Sequence, residues 1–237
     1  MIETLESRAL MDAVLEGGVH APILSITGTE ENDDIRVTGH GDTVVVDHYV
    51  NGKPHGVGQV FPANDLLAMR ASTFGGNDRV LRSGTINAYA LVFRVDGGSG
   101  NDTLIGRAGY KDAFSGGDGN DTLMSEATET NLHGGAGNDQ LIAGRGENYL
   151  AGDDGNDVLI GRGVDILHGG AGNDRVQTFG GGADLYGEDG NDHLYGGYGP
   201  DRFHGGPGID YGNGGPGNDS QDGTVERAVS IERVFSV

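Results

Sequence analysis

Cysteine and tryptophan are absent from the 237 residues, and Lys and Arg number 15 against 36 Asp and Glu. Without cysteine there is no disulfide and no thiolate metal site, so any staple has to be of another kind. The formal net charge of −21 leaves no clustered Lys/Arg for a phosphate backbone. No nucleic-acid partner is therefore expected, and cations are favoured instead. No run approaches the ~20 apolar residues of a membrane span, so no membrane insertion is expected. The opening MIETLESRALMDAV lacks the apolar core of about 7–15 residues that a secretory signal carries. Few apolar residues with high charge usually mark disorder. Here, however, many of the 47 glycines recur with aspartates at fixed intervals, which points to a repeat architecture.

The regular stretch is 97–219. It reads GGSGNDTLIG at 97–106, GGDGNDTLM at 116–124, GGAGNDQLI at 134–142, GDDGNDVLIG at 152–161 and GGAGNDRVQ at 169–177. GEDGNDHLYG at 187–196, GGYGPDRFHG at 196–205, GGPGIDYG at 205–212 and GGPGNDSQDG at 214–223 follow. The apolar positions are Leu104, Phe114, Leu123, Leu132, Leu141, Leu150, Leu159, Leu167, Val176, Leu185, Leu194 and Phe203, spaced by nine apart from one gap of ten and one of eight. Three-residue strands joined by six-residue turns would give a flattened right-handed coil of two nonapeptides, 18 residues per turn. That sorts the turns into two columns. Column one carries Asp102, Asp121, Asp139, Asp157, Asp174, Asp192 and Asp210. Column two has Asp112, Thr130, Asn148, Asp165, Ala183, Asp201 and Asp219, and so lacks the acid at Thr130, Asn148 and Ala183.

Calcium takes six to eight hard oxygens at about 2.3–2.6 Å in a flexible arrangement. Glycine turns can aim carbonyls inward, and the Asp adds a carboxylate. Coils stacked at about 4.8 Å would place an ion between neighbours, where bare carboxylates would repel by roughly 1–3 kcal/mol per pair. The expected ligands are Gly97, Ser99, Gly100 and Asp102; Gly116, Asp118, Gly119 and Asp121; Gly134, Ala136, Gly137 and Asp139; and Gly152, Asp154, Gly155 and Asp157. They continue with Gly169, Ala171, Gly172 and Asp174; Gly187, Asp189, Gly190 and Asp192; and Gly205, Gly208 and Asp210, with Asp201 and Asp219 in column two. Seven coils give six gaps in column one, and column two adds one, so about six or more Ca2+ ions are expected, stabilising a roll that folds on binding them.

These repeats resemble the repeats-in-toxin (hemolysin-type) calcium-binding β-roll, over about half the chain. The resemblance implies a parallel β-helix, extracellular calcium binding and a secreted or cell-surface bacterial-type protein that folds after export. Leu5–Leu10 is similar to short leaders of bacterial surface proteins. Such rolls usually accompany a protease, lipase, cytolysin, epimerase or adhesin. Neither HExxH nor GxSxG occurs here, and no enzyme is expected; an adhesive or polysaccharide-binding role is the alternative, with a polysaccharide-modifying enzyme as the third reading.

The remaining sequence divides into an N-terminal β-rich section and cap (1–95), the roll (96–222) and a C-terminal capping strand (223–237). Residues 1–17 read as a helix on the spacing of Leu5, Leu10, Met11, Val14 and Leu15. Runs at 23–26, 35–37, 43–50, 57–61 and 90–95 read as strands. Asn51-Gly52 suits a two-residue hairpin turn, and Gly39-His40-Gly41 is another turn signal. Gly28–Asp33 and Gly75–Val80 look like eroded repeats. His133, His168, His204 and Tyr186 share an outward row and read as surface residues rather than a transition-metal ladder. Ile105, Met124, Ile142 and Ile160 form an apolar outward row on the other face, read as strand propensity rather than a partner surface.

Overall fold

The computed structural model describes residues 13–16, 23–63, 66–86, 91–107, 109–225, 227–229 and 233–234. Among them every regular element is a β-strand, and from Ala68–Ser72 onward the strands alternate between two twelve-stranded sheets as the chain advances. Glu129–Ala136 lies in sheet one, Gln140–Ala143 in sheet two and Glu147–Asp154 in sheet one again. Pairing between coils is parallel and in register: Leu123 with Leu141, Leu141 with Leu159, and Leu132 with Leu150. The 18-residue coil of the sequence is therefore the coil of the structure, a parallel β-solenoid.

Side chains alternate along each strand, so every second residue points inward. Sheet two stacks Ile35, Val80, Leu104, Leu123, Leu141, Leu159, Val176 and Leu194; sheet one stacks Ile26, Ala71, Val95, Phe114, Leu132, Leu150, Leu167, Leu185 and Phe203. All are buried. The stacks begin well before residue 97, so the irregular N-terminal section is wound into the same solenoid. At Gly212, where the apolar residue is missing, Val225 and Phe203 stand over the glycine.

Several local expectations differ. Ala13–Glu16 is a strand antiparallel to Ile23–Thr27, not helix. The outermost strand of a sheet presents unpaired N–H and C=O groups, and pairing there outweighs the helical spacing; residues 1–12 and 17 lie outside the described residues. The sheet-one strands from Val92–Ser99 to Val164–Ala171 are eight residues long rather than three, because pairing runs on through the glycines of the turn, as between Gly117 and Gly135. The first hairpin turns at Gly41-Asp42, with Gly39 and His40 still in the strand Asp33–Gly41. The second turns at Asn51-Gly52, whose φ angles of 49° and 73° give the turn expected of that pair. The strand expected at 90–95 is Val92–Ser99, with residue 90 outside the described residues. The alternating C-terminal stretch supplies two short strands, Arg227–Val229 in sheet two and Arg233–Val234 in sheet one, both parallel to the preceding coil.

Candidate metal site

The column-one turns stack into two side-chain ladders. Each Asp N–H donates to the Oδ1 of the Asp one coil later, at 2.7–2.9 Å, from Asp33 through Asp78, Asp102, Asp121, Asp139, Asp157, Asp174 and Asp192 to Asp210. The neighbouring Asn residues bond the opposite way. Each N–H of Asn77, Asn101, Asn120, Asn138, Asn156, Asn173 and Asn191 donates to the Oδ1 of the Asn one coil earlier, at 2.7–2.9 Å. The Asn-Asp pair thus clamps each coil to both neighbours. The sequence reading missed the Asn ladder and the first two Asp rungs. Asn32-Asp33 and Asn77-Asp78 were the available signal.

One carboxylate oxygen per rung is left over. Oδ2 of Asp102, Asp121, Asp139, Asp157, Asp174 and Asp192 is buried and has no hydrogen-bond partner. An unpartnered buried oxygen is costly and asks for a ligand. Beside each lies the first glycine of its turn. A Cβ on Gly116 or Gly134 would collide with the Oδ2 of Asp121 or Asp139, and would stand 2.6 Å from the carbonyl of Gly134 or Gly152 in the next coil. The same pairing of Asp Oδ2 and next-coil carbonyl surrounds Gly97, Gly152, Gly169 and Gly187, and Gly205 has Asp210 and the Thr224 carbonyl. A carboxylate and a carbonyl facing one small space are hard oxygen donors, the set calcium takes. Among the described residues no three His, Asp or Glu side chains converge, so backbone carbonyls have to complete any site.

The third-position residues present their carbonyls at the same turns. Asp118, Ala136, Asp154, Ala171 and Asp189 each accept an N–H from the fourth-position glycine of the preceding coil at 2.7 Å, which leaves a second lone pair. Those glycines are required. At Gly137 φ is +136°, and a Cβ would meet the Gly119 carbonyl.

Burial without a counter-charge raises the carboxyl pKa values. Burial, then the neighbouring carboxylates, push Asp102 and Asp139 up to about 7, against the opposing pull of their backbone hydrogen bonds. For the same reasons Asp78, Asp157, Asp174 and Asp192 reach about 6.

Column two is built differently. Asp112 is held by Arg82 Nη2 at 2.8 and 2.9 Å and by Ser125 Oγ at 2.7 Å, and Asp165 by Thr178 Oγ1 at 2.6 Å and Asn148 Nδ2 at 2.7 Å. Among the described column-two turns only Gly196 lies between an Asp Oδ2 and a next-coil carbonyl, those of Asp201 and Gly214, and here Asp201 Oδ2 already accepts the Gly197 N–H at 3.0 Å. On the outer face of sheet one, His133, Tyr149, His168, Tyr186 and His204 form a ring stack, with centroids 5.7, 5.4, 4.4 and 4.4 Å apart. Asp153 and Glu188, in the left-handed region at φ +73° and +72°, set carboxylates beside His133 and His168. His168, Tyr186 and His204 stack face to face, while the His133–Tyr149 and Tyr149–His168 pairs are tilted by 41° and 40°. Ile105, Met124, Ile142 and Ile160 are in register and half-buried on sheet two.

A parallel β-solenoid whose Gly-Asp turns stack into a ladder of buried hard oxygens defines the class of this protein. The chain belongs to the RTX calcium-binding nonapeptide repeat family, whose model matches four times, at 94–123, 130–159, 160–184 and 186–220, just over half of the chain. No curated protein and no solved structure matches it.

Proposed function

We propose that this protein works outside the cell as a calcium-binding β-roll, folded and held by Ca2+ ions stacked along column one. The observation that carries this reading is the row of buried, unpartnered Asp Oδ2 atoms, each facing a next-coil carbonyl across a glycine. The ions take the Oδ2 of Asp102, Asp121, Asp139, Asp157, Asp174, Asp192 and Asp210, the carbonyls of the next coil's first residue, and the third-position carbonyls. That gives seven column-one positions, and an eighth lies between Asp201 and Gly214 in column two. Bound calcium neutralises carboxylates that otherwise repel one another, and folding and binding are then one equilibrium.

Calorimetric titration of chelated protein, with far-UV circular dichroism alongside, tests this. Seven or eight ions bound together with a gain of β signal is the expected result. A half-folding calcium concentration of about 10⁻⁴–10⁻³ M fits an extracellular module. An unchanged spectrum on chelation overturns the reading, and a submicromolar midpoint overturns the extracellular part.

A second reading, adhesion to polysaccharide, is favoured by the cluster of His193, Tyr195 and Tyr211 with Arg175 over the Tyr195 ring on the outer face of sheet two. Glycan-array binding that Tyr195→Ala abolishes would support it; no binding to any glycan would dismiss it.

A further inference from the structure

Along column one, from Gly97 to Gly205, the first residue of every turn is glycine. At four turns elsewhere it carries a polar or charged side chain. Thr73 lies one residue beyond the pair Ser72–Asp96, level with Gly97. Arg82 and Ser125 are level with Gly106, and Thr178 with Gly161. At each of these turns a side chain occupies the space that a bare glycine leaves. Thr73 Oγ1, fully buried, donates at 2.7 Å to the carbonyl of Gly97, the next coil's first residue. Arg82, also buried, puts its guanidinium on both oxygens of Asp112, supplying the positive charge that column one lacks. Ser125 and Thr178 give hydroxyls to Asp112 and Asp165.

The first rung is closed in the same manner. Asp33 Oδ1 meets His48 Nε2, from the hairpin strand Thr43–Val50, at 2.7 Å, and its Oδ2 accepts the Thr29 N–H at 2.7 Å. Asp33 and His48 are both buried. Asp33 thus has donors on both oxygens, where Asp121 or Asp139 has one only. The first described coils are also closed by a hairpin: Thr43–Val50 and Lys53–Pro62 extend sheet two beside Asp33–Gly41.

We infer that the coils between residues 23 and 86 hold no calcium and fold without it: Thr73, Arg82 and His48 stand in the ion's place, and these coils template the calcium-dependent ones that follow. This rests on the calcium reading above. Asp33 has protein donors on both oxygens in the apo chain; Asp78 keeps a buried, unpartnered Oδ2, but the Thr73 side chain fills the first position of its turn, where column one has a bare glycine. Once formed, their strand edges at Arg79–Ile86 and Ala68–Ser72 offer N–H and C=O groups in register to Thr103–Gly106 and Val92–Ser99. Calcium then adds coils one at a time toward the C-terminus, each with a formed neighbour to pair on.

Hydrogen-exchange mass spectrometry of the full chain, in chelator and in calcium, separates the outcomes. Amides in 23–63 and 66–86 should keep their protection in chelator, within about 3-fold, while those in 116–219 exchange about 100-fold faster or more. Loss of protection in both segments would overturn the inference and leave the calcium reading standing. Unchanged protection in both would overturn the calcium reading and the inference with it. Thr73→Gly removes the hydroxyl and restores the bare first position. It should bind one more ion than the parent, and Thr73→Ser should not. An unchanged count in folded Thr73→Gly would show that Thr73 does not occupy an ion's place. Should Thr73→Gly fail to fold, the exchange pattern of the parent decides.

Discussion

At the scale of the residue, one carboxylate does two jobs. Asp157 Oδ1 accepts the Asp139 N–H while Oδ2 faces the Gly169 carbonyl across Gly152. Asp157→Ala removes both roles. Losing a hydrogen bond to a charged acceptor costs about 1.5–3 kcal/mol. We expect at least one fewer ion by calorimetry and a correspondingly higher calcium midpoint by circular dichroism. Gly134→Ala tests the space rather than the charge: its methyl would lie against Asp139 Oδ2 and the Gly152 carbonyl. It should also lose an ion, although every carboxylate is kept. Gly52→Ala is the control. Its Cβ meets nothing within 4 Å and only the strain at φ +73° remains, about 1 kcal/mol, with the ion count unchanged.

At the scale of the element, a strand of this solenoid buries little and depends on its neighbours. Gln140–Ala143 puts Leu141 and Ala143 inward and holds Leu123 on one side and Leu159 on the other. Leu141→Ala leaves a cavity in an otherwise continuous stack, at a cost of about 2–5 kcal/mol, read as a lower thermal midpoint in saturating calcium. Because each coil pairs only with adjacent coils, the loss should spread outward from the defect rather than abolish all structure, and exchange mapping would show this. The Arg82–Asp112 pair joins a sheet-two strand to the sheet-one strand Lys111–Asp118. Arg82→Met strands a buried carboxylate, which costs about 3–5 kcal/mol, read as a lower thermal midpoint in saturating calcium with the ion count unchanged.

At the scale of the whole molecule, calcium and protons compete for the same carboxylates. Asp102 and Asp139 titrate near 7 in the folded chain without metal, and Asp157, Asp174 and Asp192 near 6, against about 4 in an unfolded chain. Between those values the folded form binds more protons than the unfolded one, so stability falls as pH rises. The contribution is fully present below about pH 4 and is lost as pH passes through 6 to 7. Chelated protein should therefore melt higher at pH 5 than at pH 7.5. With calcium the order reverses, because ions must displace those protons, and calcium affinity should weaken as pH falls below about 6. Melting curves in chelator and in calcium at the two pH values check both signs.

The repeats by themselves determined the nine-residue period, the 18-residue coil, the two inward stacks and the column in which every turn keeps its Asp. These are local matters: strand side chains alternate, and the turns need glycine at set places. The tertiary structure decided the rest. Asp33 and Asp78 belong to the ladder although 45 and 24 residues separate them from the next rung, because a hairpin and longer turns interrupt the period. Ala13–Glu16 is a strand because an edge lies beside it. Tyr149 enters the histidine row from the neighbouring row at Ala151, where the small side chain makes room. Arg82 and Thr73 stand level with glycines only once the sheets are in register, and no spacing in the chain shows this. Parallel pairing joins residues far apart in sequence, so where coils of unequal length meet, the partner is fixed by the stack.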